Sequence, residues 1–372
     1  MVELKSQIID RIHELDTGNM YSTLKNFYAQ VENAVNIIDS YTINRDIEKY
    51  DIDNILITGL GGSAIGGDLL RSYIIRECKV PVIINRNYDL PDFVRENTLV
   101  LISSYSGNTE ETISAYNDAI RKKAVIMCVT TGGKIEKIAL ANNHILIKIP
   151  GGLQPRCAIG YSFFVLLGIF VKLGFIKEKT KDIISTIDVL KNASGKYSNI
   201  ACVESDTAPD KESQDAKQNL ALNIATKLKG KLPIIYSSVD YFDVVNLRWR
   251  GQLAENSKVL AYGNLFPEMN HNELVGWKCN KEILKNTIVI FIADCKDNNR
   301  IIRRMVTSSE IMEKYCSEII TLMSNANSRL ARIFEMIYLG DWVSYYLAIL
   351  NSINPTPVDV IDYLKEKLKN DS

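Results

Sequence analysis

The chain has 372 residues, enough for two α/β domains or one large one with an ample core. Its 46% hydrophobic and 24% charged content is that of a soluble globular protein, and 44 basic residues balance 44 acidic ones, which leaves no electrostatic footprint for nucleic acid. Apolar runs such as 163–171 are too short to span a bilayer, and residues 1–5 lack a signal-peptide core. Seven cysteines with no Cys-x-x-Cys pair and only three histidines point to a reducing cytoplasm, with neither a disulfide scaffold nor a metal cluster.

Residues 1–50 read as helical, with Leu24, Phe27, Val31, Ala34, Val35 and Ile38 in apolar spacing. A short buried strand, 55–57, runs into Gly59-Leu60-Gly61-Gly62-Ser63-Ala64, and a helix follows. Gly59, Gly61 and Ala64 match the dinucleotide fingerprint G-x-G-x-x-G/A. That fingerprint also wants an acid at the end of the second strand, but strand 82–84 ends in Asn85-Arg86-Asn87, where only Arg86 could meet a 2′-phosphate.

The third strand, 99–102, leads into Ser103-Ser104-Tyr105-Ser106-Gly107-Asn108-Thr109-Glu110-Glu111, and a helix leaves it. Hydroxyls, a glycine and the free amides of a helix start suit a small phosphate. Read as ordinary structure, the same stretch is a helix start capped by Asn108 or Thr109, with Glu110 and Glu111 complementing the dipole. Strands at 125–129 and 145–149 alternate with helices, so the first half reads as a parallel, doubly wound sheet with both loops at its ligand-binding edge.

Pro150 to Arg156 ends this domain. Arg156, in a Pro/Gly-bracketed turn, is either a surface arginine or a guanidinium aimed at a phosphate or a developing oxyanion. Residues 176–215 are polar and read as a linker or insertion. The pattern then restarts with strands at 233–236, 288–292 and 318–322. The expected domains are therefore a helical segment 1–50, a first α/β domain 51–175, the linker 176–215, and a second α/β domain 216–372 ending in a helix. The second domain shows no hydroxyl-rich loop, so one phosphate site per pair of domains is expected.

The reactive groups lie in the second half. Glu255 sits in a helical stretch, and 15 residues after it begins Asn270-His271-Asn272-Glu273. A carboxylate base and a histidine are the equipment for moving protons on a carbon acid and opening a sugar ring. Taken singly, Glu255 is more often a solvated helix acid, and His271 a loop histidine capping the next helix. Near the end, Pro355-Thr356-Pro357-Val358 introduces a helix carrying Lys365, which by ordinary packing would bury Val358, Ile361 and Leu364 and leave the lysine in water.

Six motifs occur in one order: Gly-Gly-Ser (61–63), Ser-Tyr-Ser-Gly-Asn-Thr (104–109), Gln-Pro-Arg (154–156), Glu-Asn (255–256), Asn-His-Asn-Glu (270–273) and Pro-Thr-Pro-Val (355–358). Over about residues 20–370 the chain resembles the bifunctional phosphoglucose/phosphomannose isomerases of archaea and some bacteria. The resemblance implies two sugar-isomerase (SIS) domains with flanking helices and a homodimer. It implies a sugar 6-phosphate substrate held by Gly61, Gly62, Ser63, Ser104, Ser106 and Thr109. Glu255 is then the base that carries a proton between C2 and C1, and His271 assists ring opening from the partner subunit. Arg156 stabilises enediolate charge, Lys365 sits near the ring oxygen, and Thr356 makes room for both C2 epimers. No cofactor or metal is expected. A non-catalytic SIS sensor would need neither Glu255 nor His271, and an amino-sugar-phosphate isomerase would differ in the second domain.

Overall fold

The computed structural model describes residues 2–43, 47, 50–200 and 219–370. Three helices, α1 (Val2–Leu15), α2 (Met20–Lys25) and α3 (Phe27–Ser40), precede β1 (Asn54–Thr58), α4 (Gly61–Ile74), β2 (Val82–Asn85), β3 (Thr98–Ser104), α5 (Glu110–Arg121), β4 (Val125–Thr130), α6 (Gly133–Ala141) and β5 (Ile145–Lys148). A short 3-10 turn, Pro155–Cys157, then introduces α7 (Ile159–Lys172) and α8 (Thr180–Tyr197). The remainder runs α9 (Leu220–Leu228), β6 (Leu232–Ser238), α10 (Asp243–Ser257), β7 (Tyr262–Phe266), α11 (Met269–Asn272), α12 (Lys281–Leu284), β8 (Thr287–Asp294), α13 (Asn299–Met312), β9 (Glu318–Ser324), α14 (Arg329–Leu350) and α15 (Asp359–Asn370).

Two compact units form, and their borders differ from those expected. The first comprises Asn26–Asp188 with Asn327–Ala331, and the second comprises Met1–Lys25, Val189–Ala326 and Arg332–Ser372. Residues 1–50 are therefore not one segment. α1 and α2 belong with the second unit, where Tyr21 meets the Trp342 ring edge-on at 5.3 Å and Tyr338 donates to the Leu24 carbonyl at 2.8 Å. The stretch read as a linker contains the 18-residue helix α8, and the border falls inside it. Ile183, Ile187 and Leu190, at helical spacing, give it one inward face, and the polar residues of its other face are what reads as a linker in the sequence. Residues 201–215 of that stretch lie outside the described residues.

The first unit carries a five-stranded parallel sheet in the order β2-β1-β3-β4-β5. Helices cover both faces, so β3 and β4 are buried along their whole length, which is why they read as unbroken apolar runs. The strand order reverses between β1 and β3, and the crevice at that switch lies outside their carboxyl ends. The second unit repeats the pattern with four parallel strands, β7-β6-β8-β9. Strand β7 escapes sequence reading because Gly263 and Asn264 have poor strand propensity. Glycine is needed there: a Cβ at 263 would stand 2.6 Å from the Ile235 carbonyl. Helix α14 is long and apolar enough to cross a membrane, yet 94% of its most apolar window is buried inside the protein, as in a core helix.

Candidate active site

In the first unit, three loops converge at the switch between β1 and β3. The first begins α4, where Gly61 takes φ +53° and no side chain caps the helix start. Its Ser63 is buried and accepts a hydrogen bond from the Tyr105 amide at 3.1 Å, tying it to the loop after β3. The Tyr105 hydroxyl in turn accepts from the Leu153 amide at 3.1 Å, tying that loop to the third, Gln154-Pro155-Arg156. Gly62 closes the triangle, since a Cβ there would lie 2.6 Å from the Pro155 carbonyl.

The serine loop is built for more than capping. Thr109 holds the N-cap position of α5, but its side chain does not cap the helix. The hydroxyl lies 3.2 Å from Ser104 Oγ and 3.5 Å from Ser106 Oγ instead. Asn108 is also diverted, accepting from the Lys134 amide at 3.1 Å. The ordinary N-cap reading of this stretch is thereby excluded. Ser104 Oγ accepts from the Gly107 amide at 3.2 Å, and Ser106 Oγ from the Asn108 amide at 3.3 Å, which bends the chain tightly around the hydroxyls. Gly107 permits the bend with φ +65°, and any Cβ there would meet the Gly132 carbonyl at 1.8 Å. Two uncapped helix starts and a ring of hydroxyls make a cradle for a tetrahedral anion.

Arg156 is 4% exposed, not a surface residue. Pro155 opens its turn, and Gln30 Nε2 pins the turn by donating to the Cys157 carbonyl at 2.9 Å. Burying a guanidinium beside an anion cradle places a fixed positive charge where negative charge would gather. The dinucleotide alternative loses its last support here: Arg86 is ion-paired to Asp68, and Asn85 bonds Thr58 Oγ1 at 3.3 Å.

In the second unit, Glu255 lies half-exposed near the end of α10. One face of that helix is locked onto α14. Arg248 pairs with Asp341 at 2.7 Å, Gln252 donates to the same carboxylate at 2.9 Å, and Asn256 donates to Ser344 Oγ at 2.9 Å. Burial pushes the Asp341 carboxyl up, while Arg248 and Gln252 pull it back. Positions 248, 252 and 256 recur every four residues, a polar stripe the sequence displays and that sequence reading passed over.

After Ser257 the chain turns at Lys258, which is left-handed with φ +55°. Its ammonium donates to the carbonyls of Glu255 (2.8 Å), Asn354 (3.3 Å) and Pro355 (3.4 Å). This cation brings the Glu255 turn and the Thr356 loop together. Thr356 is fixed by its backbone amide, which donates a hydrogen bond to Asn354 Oδ1 at 2.9 Å, and by close packing on Gly18, where a Cβ would stand 2.2 Å from Thr356 Oγ1. Neither Lys258 nor Tyr105 stood out in the sequence, because each acts through backbone groups that only the fold brings near.

His271 and Lys365 are not drawn into this arrangement. His271 is exposed on α11, and its side chain has no hydrogen bond among the described residues. Its neighbours are anchors: Asn270 bonds Ser308, and Glu273 accepts from Tyr262 (2.7 Å), Asn264 (2.6 Å) and the buried Tyr236. Burial and that carboxylate hold the Tyr236 phenol well above its ordinary range, so it remains a donor. The turn 269–273 is thus fixed while His271 points outward. Lys365 lies on exposed α15, 3.6 Å from Asp362. The apolar packing expected of this helix is absent in the single chain, with Ile361 41% and Leu364 56% exposed.

At the switch between β6 and β8 the second sheet has its own hydroxyls, but they are already used. Ser238 donates to Asp297 at 2.9 Å and Ser237 to the Phe242 carbonyl at 3.0 Å. Arg332 pairs with buried Asp294 at 2.6 Å. A carboxylate occupies the place where the first unit leaves room for an anion.

Comparison with known proteins agrees with this architecture. Residues 217–368 match the family described as the bacterial phospho-glucose isomerase C-terminal SIS domain. A bifunctional phosphoglucose/phosphomannose isomerase from Caldicellulosiruptor bescii is 45% identical over 349 residues, covering 94% of this chain and 98% of that protein. One from Aquifex aeolicus is 31% identical over 347 residues, covering 93% and 99%. Among solved structures, a hypothetical protein from Thermus thermophilus superposes with a TM-score of 0.70 at 14% identity, covering 99% of this chain and 94% of that one, so it shares the fold. Two parallel doubly wound units, the buried arginine beside a hydroxyl cradle, and identity sustained along nearly the whole length place this chain in the bifunctional phosphoglucose/phosphomannose isomerase family.

Proposed function

We propose that this protein is a cytoplasmic aldose–ketose isomerase that interconverts fructose 6-phosphate with both glucose 6-phosphate and mannose 6-phosphate. The observation that carries the reading is the cradle of Ser63, Ser104, Ser106 and Thr109, whose hydroxyls and helix-start amides are withheld from the usual caps. The activities of the relatives from Caldicellulosiruptor and Aquifex supply the substrate class.

In this reading the 6-phosphate sits on Gly61, Gly62, Ser63, Ser104, Ser106 and Thr109. Glu255 removes the C2 proton of the open-chain aldose and returns it to C1. The C1 carbonyl becomes an enediolate oxygen between the two steps, and Arg156 stabilises its charge. The O2 proton passes to O1 as the carboxyl of Glu255 protonates C1, which leaves a ketone at C2 and a hydroxyl at C1. Removal of the C2 proton erases the stereochemistry that separates glucose from mannose, so one cis-enediol serves both. Thr356, small and held against Gly18, leaves room for either epimer. Lys365 assists at the ring oxygen. The step exchanges protons only, and needs no metal or redox cofactor.

His271 opens the sugar ring from the partner subunit of a homodimer. Its outward position on a fixed turn supports that assignment, as does the uncovered α15, where Val360, Tyr363 and Leu368 are 83%, 62% and 49% exposed. The test is isomerisation of fructose 6-phosphate in EDTA, with both aldose products followed by coupled assay. Formation of both is expected. Glucose 6-phosphate alone would remove the role given to Thr356, and binding without either product would make the protein a sugar-phosphate sensor.

A further inference from the structure

Helix α13 buries Met305, Ser308 and Met312; Arg300 and Arg303 are exposed on it, and Arg304 is half-buried one turn before Ser308. The three guanidiniums stand at i, i+3 and i+4, the spacing at which like charges on a helix repel. Arg300 also lies in its first turn, where the positive end of the helix dipole disfavours a cation. Within the helix no acid lies three or four positions from any of them, and among the described residues none of the three is in an ion pair.

The three arginines line one cavity of about 380 Å³ with Asn270, Thr307 and Ser308, and no carboxylate lines it. Arg304 is pre-positioned, donating from Nη1 to Asn270 Oδ1 at 3.2 Å. Asn270 Nδ2 donates to Ser308 Oγ at 3.0 Å. Ser308 is 1% exposed, and its own proton has no acceptor among the described residues. Guanidinium forks with hydroxyl donors are the recognition set of a phosphate group, and the volume suits a small ligand with more than one.

We propose that this cavity binds a small polyanion bearing two phosphate groups, such as a sugar bisphosphate or a pyrophosphate-containing metabolite. None of its residues belongs to the cradle of the first unit. Asn270 adjoins His271, so occupancy would also modulate turnover; that consequence alone rests on the role proposed for His271.

Pyrophosphate is the probe, titrated calorimetrically into the full chain at 0.15 M salt. The background is Ser104→Ala/Thr109→Val, in which the cradle no longer competes for it. One saturable site per chain is expected there. Arg300→Gln/Arg303→Gln, two exposed positions that leave the Arg304–Asn270 bond in place, should weaken it at least tenfold. Thr307→Glu is the second variant. It sets an acid beside Arg303 and Arg304, so it should raise the melting temperature while weakening pyrophosphate binding. Failure to saturate, or binding that both variants leave unchanged, overturns the proposal. So does binding seen only at low salt, the mark of counter-ion exchange. Loss of isomerase activity would leave this titration untouched, so the two proposals fail separately.

Discussion

Thr109 stands at the start of α5 yet turns its hydroxyl toward Ser104 and Ser106. A helix start left uncapped forfeits about 1 kcal/mol of local stability. A phosphate bound as proposed would restore it, because the same amides and hydroxyls would then have an acceptor. Glu255 is placed differently: its neighbours 252 and 256 are fully engaged inward, which leaves its own carboxylate on the half-exposed side. Replacement Glu255→Gln keeps the size and the helix, so substrate affinity should hold within a few-fold. Turnover should fall by about 10² or more, the usual contribution of a positioned base. Steady-state kinetics with a separate binding titration check this, and retained turnover would remove Glu255 from the chemistry.

At the scale of elements, the seam between α10 and α14 decides where Glu255 points. A buried Arg248–Asp341 pair, 3% and 2% exposed, is a costly way to hold two helices together. It fixes their register where apolar side chains would allow sliding, and Trp249 reinforces it by donating to the Met336 carbonyl at 2.7 Å. Asp341→Asn leaves the guanidinium buried without its counter-charge and should cost about 3–5 kcal/mol. Arg248→Met/Asp341→Leu, which removes both charges, should cost less than that single change. Denaturant unfolding measures both. If the double variant regains stability but loses turnover with an unchanged KM, the seam positions the base.

For the whole molecule, the proposed assembly makes a sharp prediction. If His271 serves the partner's site, Glu255→Gln and His271→Ala each inactivate both sites of their own homodimer. Mixed and reassembled, they form heterodimers with one intact site, and activity should return to about a quarter of wild type at equal amounts. With His271 acting within its own chain, mixing would restore nothing. A variant of exposed α15, Leu364→Asp, should weaken the dimer in analytical ultracentrifugation, since an interface built on that helix would have to bury the new charge.

Much of this was legible in the chain itself. Buried parallel strands write themselves as unbroken apolar runs, so the alternation of strands and helices and the two loops at the first switch point could be read from local pattern alone. The motif order from Gly61 to Thr356 carried the family, and the comparisons bear that out. Strand β7 could not be read, because Gly263 is chosen for closeness to Ile235 rather than for strand propensity. Nor could the membership of α1 and α2 in the second unit, since Tyr21 and Leu24 acquire meaning only beside Trp342 and Tyr338. The choice between cap and cradle at Thr109 was likewise open in sequence. Sequence by itself determined which residue types are present and in which local elements, because helix and strand periodicities are short-range. The tertiary structure alone decided where hydroxyls, amides and charges are spent, because hydrogen bonds such as Tyr105 to Ser63 and Lys258 to Pro355 join residues that nothing in the local chain relates.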